Sequence, residues 1–377
     1  MKAYVDCVGC EQRQLDAQRV IDYLTINGLE VTPQPNNCDY AILITCAVDQ
    51  SNEDESVRRL EDLGNKIPLS SKILVGGCLP SISPERLSKK VLGTFSPRTM
   101  WRLDNLLEEV VKTSIEDIPD PNMSIFDEIS LHNGFSSREE YEQAKNGYKL
   151  RIDHGCLMSC SYCSIRLATG FLKSENPDKL LDQFKRAVEG GERTIMLVGG
   201  DTGAYGYDLG IRFYGLLEKF LEIEGNHKIF IHDFNLNWLA KDLTHYLNVF
   251  SISEDKKRIK ATTFPLQSGS DRILKSMRRS YTKDICINTL SAVRETGSFM
   301  AIGTHILVGF PDESEEDFRE TLYLLHKFKF DFISCFAYSE NGKTFSSRIK
   351  NKIPQAIINE RIDILKEEFG EGVRVYR

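Results

Sequence analysis

The strongest constraint on the fold is a rhythm. Short apolar runs recur along the chain, and the intervals between them carry helical periodicity. Near the N-terminus "KAYVDC" (2–7), "YAILIT" (40–45) and "KILVGG" (72–77) read as strands. The first precedes a helix with Ala17, Val20, Ile21 and Leu24 on one face, and Gly28 sits where a helix C′ residue belongs. A charged helix around 52–66 separates the other two strands. Six more strand candidates follow at 148–153, 194–198, 228–232, 261–265, 299–307 and 331–336. Helical segments separate them, one with Leu180, Phe184, Ala187 and Val188 on a single face. Strands that alternate with helices pair in parallel, because each must be carried back to its starting edge by a crossover. The reading is α/β throughout: a small parallel-sheet domain over 1–114, then a β/α-repeat domain over 148–350 that curls into a partial barrel, then a C-terminal helix within 351–377. Residues 115–147 lose periodicity, collect Asp, Asn, Pro and Ser, and read as a linker.

Composition sets outer bounds. A chain of 377 residues can bury two or three cores. Its net charge of −7 gives no global attraction to nucleic acid or an anionic membrane, and "KKRIK" (256–260) and "KSMRRSYTK" (275–283) are local exceptions. "MKAYVDCVGC" is not a signal peptide, since Asp6 and Gly9 interrupt it. The longest apolar run, near "YAILITCAV", falls far short of the roughly 20 residues a spanning helix needs. A soluble, cytoplasmic protein with no membrane partner is expected. Ten cysteines there are ligands or core thiols rather than a disulfide framework.

"HGCLMSCSYCSIR" (154–166) places Cys156, Cys160 and Cys163 in eight positions. An odd number of thiols in so tight a loop does not suit disulfides. A zinc site completed by His154 is one alternative, and a redox "CSYC" that leaves Cys156 unexplained is another. Three thiolates can also hold three irons of a 4Fe–4S cube and leave the fourth iron open to a substrate or cofactor. The triplet follows the first strand of the repeat domain, and active groups of such folds lie on loops at the carboxyl ends of strands. Cys10, Cys46 and Cys78 likewise fall just after strands, so one sheet edge can receive all three. The bland alternative is three small buried side chains.

"CLMSCSYC", with Tyr162 before its last cysteine, is similar to the CxxxCxxC motif of radical S-adenosylmethionine (SAM) enzymes. "VGCEQRQLD", "LITCAV", "VGGCLP", "DTGAYGYDLG" (201–210), "PLQSGSDRILKSMRRSYT" (265–282) and "GTHILVGFPDESEEDFRETL" (303–322) resemble blocks of the radical SAM methylthiotransferase family over nearly the whole chain. The fourth block resembles the branch that acts on threonylcarbamoyl-adenosine in tRNA. The resemblance implies a flavodoxin-like N-terminal domain and a partial (β/α)6 radical SAM barrel. It also implies two 4Fe–4S clusters, SAM, and an electron donor such as flavodoxin or ferredoxin. Cys156, Cys160 and Cys163 would hold the SAM-binding cluster, one electron from which cleaves SAM to a hydrogen-abstracting radical. Cys10, Cys46 and Cys78 would hold an auxiliary cluster beside which sulfur waits, with Cys7 as an alternative to Cys10. Gly199 and Gly200 would approach the SAM amino group, Gln267 and Ser268 would line its pocket, and Gly309, Phe310 and Pro311 would contact adenine. Read without the resemblance, the glycine pair is a tight turn and "GFP" ends a strand.

Several positions depart from the family pattern. Glu11 and Arg13 stand where the family has Gln and Asn, Thr169 stands for an arginine, and "ENGKTFS" (340–346) replaces "RPGTPA". Family members continue into a small RNA-binding β-barrel, whereas this sequence stops after one helix expected over 354–369. Together with the net charge, this leans the expected substrate toward a peptide or protein side chain, with tRNA as the alternative. A non-catalytic iron–sulfur electron carrier is a remote alternative, since a carrier needs no SAM pocket. A cobalamin-dependent methylase is disfavoured, because no histidine precedes His132.

Overall fold

Three strand ends set the geometry of the first part of the chain. The computed structural model describes residues 1–88, 90–126, 147–297 and 300–376. Contacts divide the chain into Met1–Ile129 with Ser164–Phe171, and Ser130–Cys163 with Leu172–Arg377. In the first unit, among the described residues, β1 (Lys2–Cys7), β2 (Glu30–Val31), β3 (Tyr40–Thr45), β4 (Lys72–Gly77) and β5 (Val91–Thr94) form a parallel sheet of order β2-β1-β3-β4-β5. That is the flavodoxin-like order, whose switch point lies between β1 and β3. Every residue of β3 is buried because helices cover both faces. The helix Glu11–Ile26 lays Ala17, Val20 and Leu24 on Ala3, Ile42 and Ile44. The helix Gln50–Lys66, capped by Asp49, lays Leu60 and Leu63 on Ala41, Leu43 and Val75. Register aligns Cys7 with Ile44 and Thr45 with Gly77, so the three strands end together. Ile115 and Ile118 are buried in the same core, so the start of the expected linker belongs to this unit. Residues 127–146 of it lie outside the described residues.

The second unit is a larger parallel sheet. Its strands β6 (Tyr148–Arg151), β9 (Thr194–Val198), β10 (Lys228–Ile231), β11 (Ile259–Gln267), β12 (Ala301–Val308) and β13 (Phe332–Ala337) occupy the six expected places. A seventh strand, β14 (Val373–Tyr376), pairs in parallel with β13 and gives the order β14-β13-β12-β11-β10-β9-β6. The expected terminal helix, observed as Gln355–Phe369, is thus one half of a further β/α unit. Beside this sheet, β7 (Asp153–His154) and β8 (Lys173–Ser174) form a small antiparallel pair. The helix Pro177–Glu189 shows why the periodicity was legible. Asn176 caps its first N–H groups, proline takes its first position, and Leu180, Phe184 and Ala187 are buried. Phe184 stacks on Phe220 at 4.2 Å, and truncating it to alanine should cost about 3–5 kcal/mol.

Charged side chains interrupt this core. Lys149, Arg151 and Asp153 are all buried on or just after β6. Burying charge is costly unless it is paired, so a charged strand end marks a place where chemistry, not packing, chose the residues. Among the described residues, no helix is long and apolar enough to cross a membrane.

Candidate metal centres

In the first unit the sheet edge collects the three separated cysteines. Cys10 is the N-cap of the helix Glu11–Ile26, and its carbonyl accepts the N–H groups of Arg13 and Gln14. Cys46 leaves β3 tied to Ser56, which accepts its N–H at 3.1 Å and donates to its carbonyl at 2.8 Å. Cys78 leaves β4 with its N–H on the Thr45 carbonyl at 2.9 Å. Gly77, at φ +91°, makes that exit possible, since a Cβ there would lie 2.2 Å from the Thr45 oxygen. Cys46 and Cys78 are buried and Cys10 is exposed. Burial pushes the Cys46 thiol well up, and the fields of Cys78 and Cys10 add to it. Cys78 is raised by burial too, but the guanidinium of Arg13 opposes the shift. Arg13 donates to Cys78 Sγ at 3.6 Å and pairs with Asp16 at 2.9 Å. Three mutually coupled thiols beside a buried cation fit an anionic, thiolate-bound cluster.

In the second unit one short loop carries the whole triplet. The Met158 N–H points at Cys156 Sγ at 3.3 Å. Between the other two cysteines, Ser161 is fixed on three sides: its N–H donates to Met277 O (3.1 Å), its hydroxyl to Ser276 O (2.8 Å), and its carbonyl accepts from the Ser346 N–H (2.9 Å). Tyr162 meets the edge of Phe310 at 6.5 Å, and Phe310 in turn meets Tyr338 at 5.8 Å. Burial, then the field of Asp201, pushes the Cys156 thiol up. Asp153 is driven up to about 8 and Asp201 to about 6, in both cases chiefly by burial. Trp238 and the Asn235 N–H, which donate to Asp201 at 2.7 Å and 3.3 Å, offset part of that shift.

The other expected site residues divide by role. Gly200 donates its N–H to Asp153 at 2.7 Å, and a Cβ on it would lie 1.9 Å from the Gly155 carbonyl. The glycine pair therefore lets the end of β9 close on the segment that enters the triplet. Gln267 ends β11 in the left-handed region at φ +77°, a strain that concentrates at functional sites. Ser268 is fully buried, with Thr321 at 3.4 Å and the Ser270 N–H on its hydroxyl, so it braces the loop. Gly309 donates its N–H to Glu313, itself paired with Arg361. Pro311 follows it, buried. The Phe310 ring is also buried, which leaves its backbone as the part able to face a ligand.

Sequence reasoning missed the carboxylates Asp153 and Asp201, the Ser161 clamp and the pairing of Arg13. Charged residues at alternate positions of one strand candidate, Lys149, Arg151 and Asp153, were the available signal for Asp153. It also missed an exposed aromatic next to the clamp. Phe345, 50% exposed, carries the guanidinium of Arg278 at 3.7 Å from its ring and that of Arg348 at 5.4 Å.

Both halves of the chain match known proteins. Residues 150–325 match the radical SAM superfamily, and residues 2–94 match the uncharacterized protein family UPF0004. A probable threonylcarbamoyladenosine tRNA methylthiotransferase of Pyrococcus horikoshii is 29% identical, over 97% of this chain and 83% of its own length. A ribosomal protein uS12 methylthiotransferase, RimO, of Carboxydothermus hydrogenoformans is 30% identical, over 97% of this chain and 82% of its own. Among solved structures, the radical SAM methyltransferase TsrM of Kitasatospora setae aligns with a TM-score of 0.64 at 11% identity, covering 92% of this chain and 77% of that one, a likeness of fold alone. Two 4Fe–4S clusters and SAM are the cofactors that go with the matched families. With both halves and nearly full-length relatives in agreement, the chain belongs to the radical SAM methylthiotransferase family, enzymes that insert sulfur.

Proposed function

We propose that this enzyme inserts sulfur at a C–H bond of a nucleoside in tRNA. Cys156, Cys160 and Cys163 hold the SAM-binding cluster, and Cys10, Cys46 and Cys78 hold the second. When bound, the first cluster would supply the electron, SAM the hydrogen-abstracting radical, and the second cluster the site where sulfur waits. The protein's own contribution is placement. Ser161 fixes the triplet loop, Gly200 lets the end of β9 close on Gly155 with its N–H on Asp153, and the backbone at Gly199, Gly200 and Gly309 is what SAM can approach. The electron donor is a flavodoxin or ferredoxin, in a reducing cytoplasm that suits ten cysteines outside any disulfide.

The observation that carries the substrate class is the exposed Phe345 with the guanidinium groups of Arg278 and Arg348 over its ring. Guanidinium planes supported by an exposed ring offer a splayed base a surface to stack on and meet its phosphates. The ring stands one residue from Ser346, whose N–H grips the triplet loop. Net charge pointed to a peptide, but it is a global quantity. Segments 275–283 and 343–352 carry eight Lys and Arg and no Asp or Glu. The relatives named for tRNA support the same reading. Those named for ribosomal protein uS12 support a peptide substrate as the second reading.

The test supplies reconstituted enzyme, SAM, reductant and sulfide with either bulk tRNA or candidate peptides, and follows products by mass spectrometry across a salt series. A methylthio group on an adenosine, with binding that weakens steeply as salt rises, is the expected result. Modified peptide alongside untouched tRNA would overturn the nucleoside assignment.

A further inference from the structure

Arg13 is in an expensive place. Its side chain is 3% exposed and lies in the first turn of a helix, where the backbone dipole already presents positive charge. One terminal nitrogen reaches Cys78 Sγ at 3.6 Å and the other reaches Asp16 at 2.9 Å. Its Nε has no hydrogen-bond partner among the described residues. The stem passes against Gly9, where an added Cβ would sit 2.9 Å from Arg13 Cβ and Cγ and 3.3 Å from Cys46 Cβ. Room has been left beside Gly9 for this side chain, whose guanidinium faces the thiols of Cys78 and Cys10. Asp16 neutralises only part of its charge, because that carboxylate faces one end of the fork.

A buried guanidinium at a helix N-terminus, with one carboxylate at one end of its fork and an unpartnered Nε, gains from a second anion beside it. The thiols around it supply that anion once they are deprotonated and bound to a cluster, since three thiolates leave such a cluster negatively charged. We infer that Arg13 is the positioning and charge-compensating residue of the second cluster: it donates to the Cys78 sulfur and raises the reduction potential of that cluster. One electron enters on reduction and no proton or bond need move, so the added negative charge is stabilised directly by the fixed guanidinium. This rests on the assignment of Cys10, Cys46 and Cys78 to that cluster.

The experiment uses the full chain with Cys156, Cys160 and Cys163 changed to alanine, so that only the second cluster gives a signal. Iron analysis comes first. Absence of a cluster here would defeat the cysteine assignment itself. With a cluster present, a redox titration followed by electron paramagnetic resonance compares Arg13, Arg13→Lys and Arg13→Gln. Arg13→Gln should lower the ratio of reduced to oxidised cluster at a fixed potential about tenfold, equivalent to about 59 mV for one electron, and Arg13→Lys should restore most of it. Asp16→Asn should move the ratio in the opposite direction, because it unmasks the guanidinium. Loss of the cluster in Arg13→Gln but not in Arg13→Lys would support the same role more strongly. An unchanged ratio in Arg13→Gln and Asp16→Asn at full iron content, or cluster loss in Arg13→Lys as well, would overturn it.

Discussion

The two cysteine sites are built by opposite means. Cys156, Cys160 and Cys163 come from one loop, which Met158 braces locally and Ser161 ties to Ser276, Met277 and Ser346. Cys10, Cys46 and Cys78 come from three strand exits spread over 69 residues of sequence, and only the register of β1, β3 and β4 brings them together. Their electrostatics differ too. The field of Asp201 works against a Cys156 thiolate, whereas Arg13 works in favour of one at Cys78. The lesson is that the first site has its ligands set by adjacent sequence and only its anchors supplied from afar, while the second needs the sheet register to bring its ligands to one edge.

The largest effect that tests this contrast comes from the ligands. Changing Cys156, Cys160 and Cys163 together to alanine should abolish SAM cleavage and leave one of two clusters by iron analysis. Changing Cys10, Cys46 and Cys78 should leave SAM cleavage to 5′-deoxyadenosine intact and abolish sulfur insertion. Loss of both activities in a folded protein that keeps its SAM-binding cluster would merge the two roles.

Next come the glycines that seat each site. Gly77→Ala places a Cβ 2.2 Å from the Thr45 oxygen at φ +91°, and Gly200→Ala places one 1.9 Å from the Gly155 oxygen. Each should cost at least about 1–3 kcal/mol in denaturant unfolding. Cluster loss should be selective, the second cluster in Gly77→Ala and the SAM-binding one in Gly200→Ala. Equal loss in both variants would break the contrast.

A third expectation concerns pH. Asp153, buried, has its folded pKa raised from 3.8 to about 8. Between those values the folded state holds a proton that the unfolded state has released, so stability is greatest below the lower value and declines as pH rises toward the upper one. Above it the loss is complete and the curve levels. Asp153→Asn should remove that slope in apo-protein unfolding measured from pH 4 to 9, and an unchanged slope would refute the assignment.

The smallest effect is at the surface. Phe345→Ala should weaken tRNA binding by about 1–3 kcal/mol, the usual range for a lost stacking platform. Arg348→Gln should weaken it less and reduce the salt dependence. Peptide turnover that responds to Phe345→Ala while tRNA binding does not would favour the second substrate class.

Much of this protein was legible without coordinates wherever the information is local. The triplet needs only its own spacing, and the helix Pro177–Glu189 announces itself by Asn176, Pro177 and the interval from Leu180 to Phe184. Strand ends were legible as well, because apolar runs stop where the chain leaves the sheet, and this suggested one edge for Cys10, Cys46 and Cys78. The short strand β14 was not, since four residues of "VRVY" carry too little pattern until β13 offers them a partner. Arg13 stood out in the sequence only as an unusual residue. Its burial, its reach to Cys78 and its sharing with Asp16 depend on how the helix Glu11–Ile26 lies on the sheet. The grouping of Phe345 with Arg278 depends likewise on two loops some 67 positions apart meeting at Ser161. Sequence by itself determined the elements, the ligand types and the kind of chemistry, because those follow from neighbours along the chain. Tertiary structure decided which charges face which sulfurs, because a field acts through space and is strongest where burial has removed water.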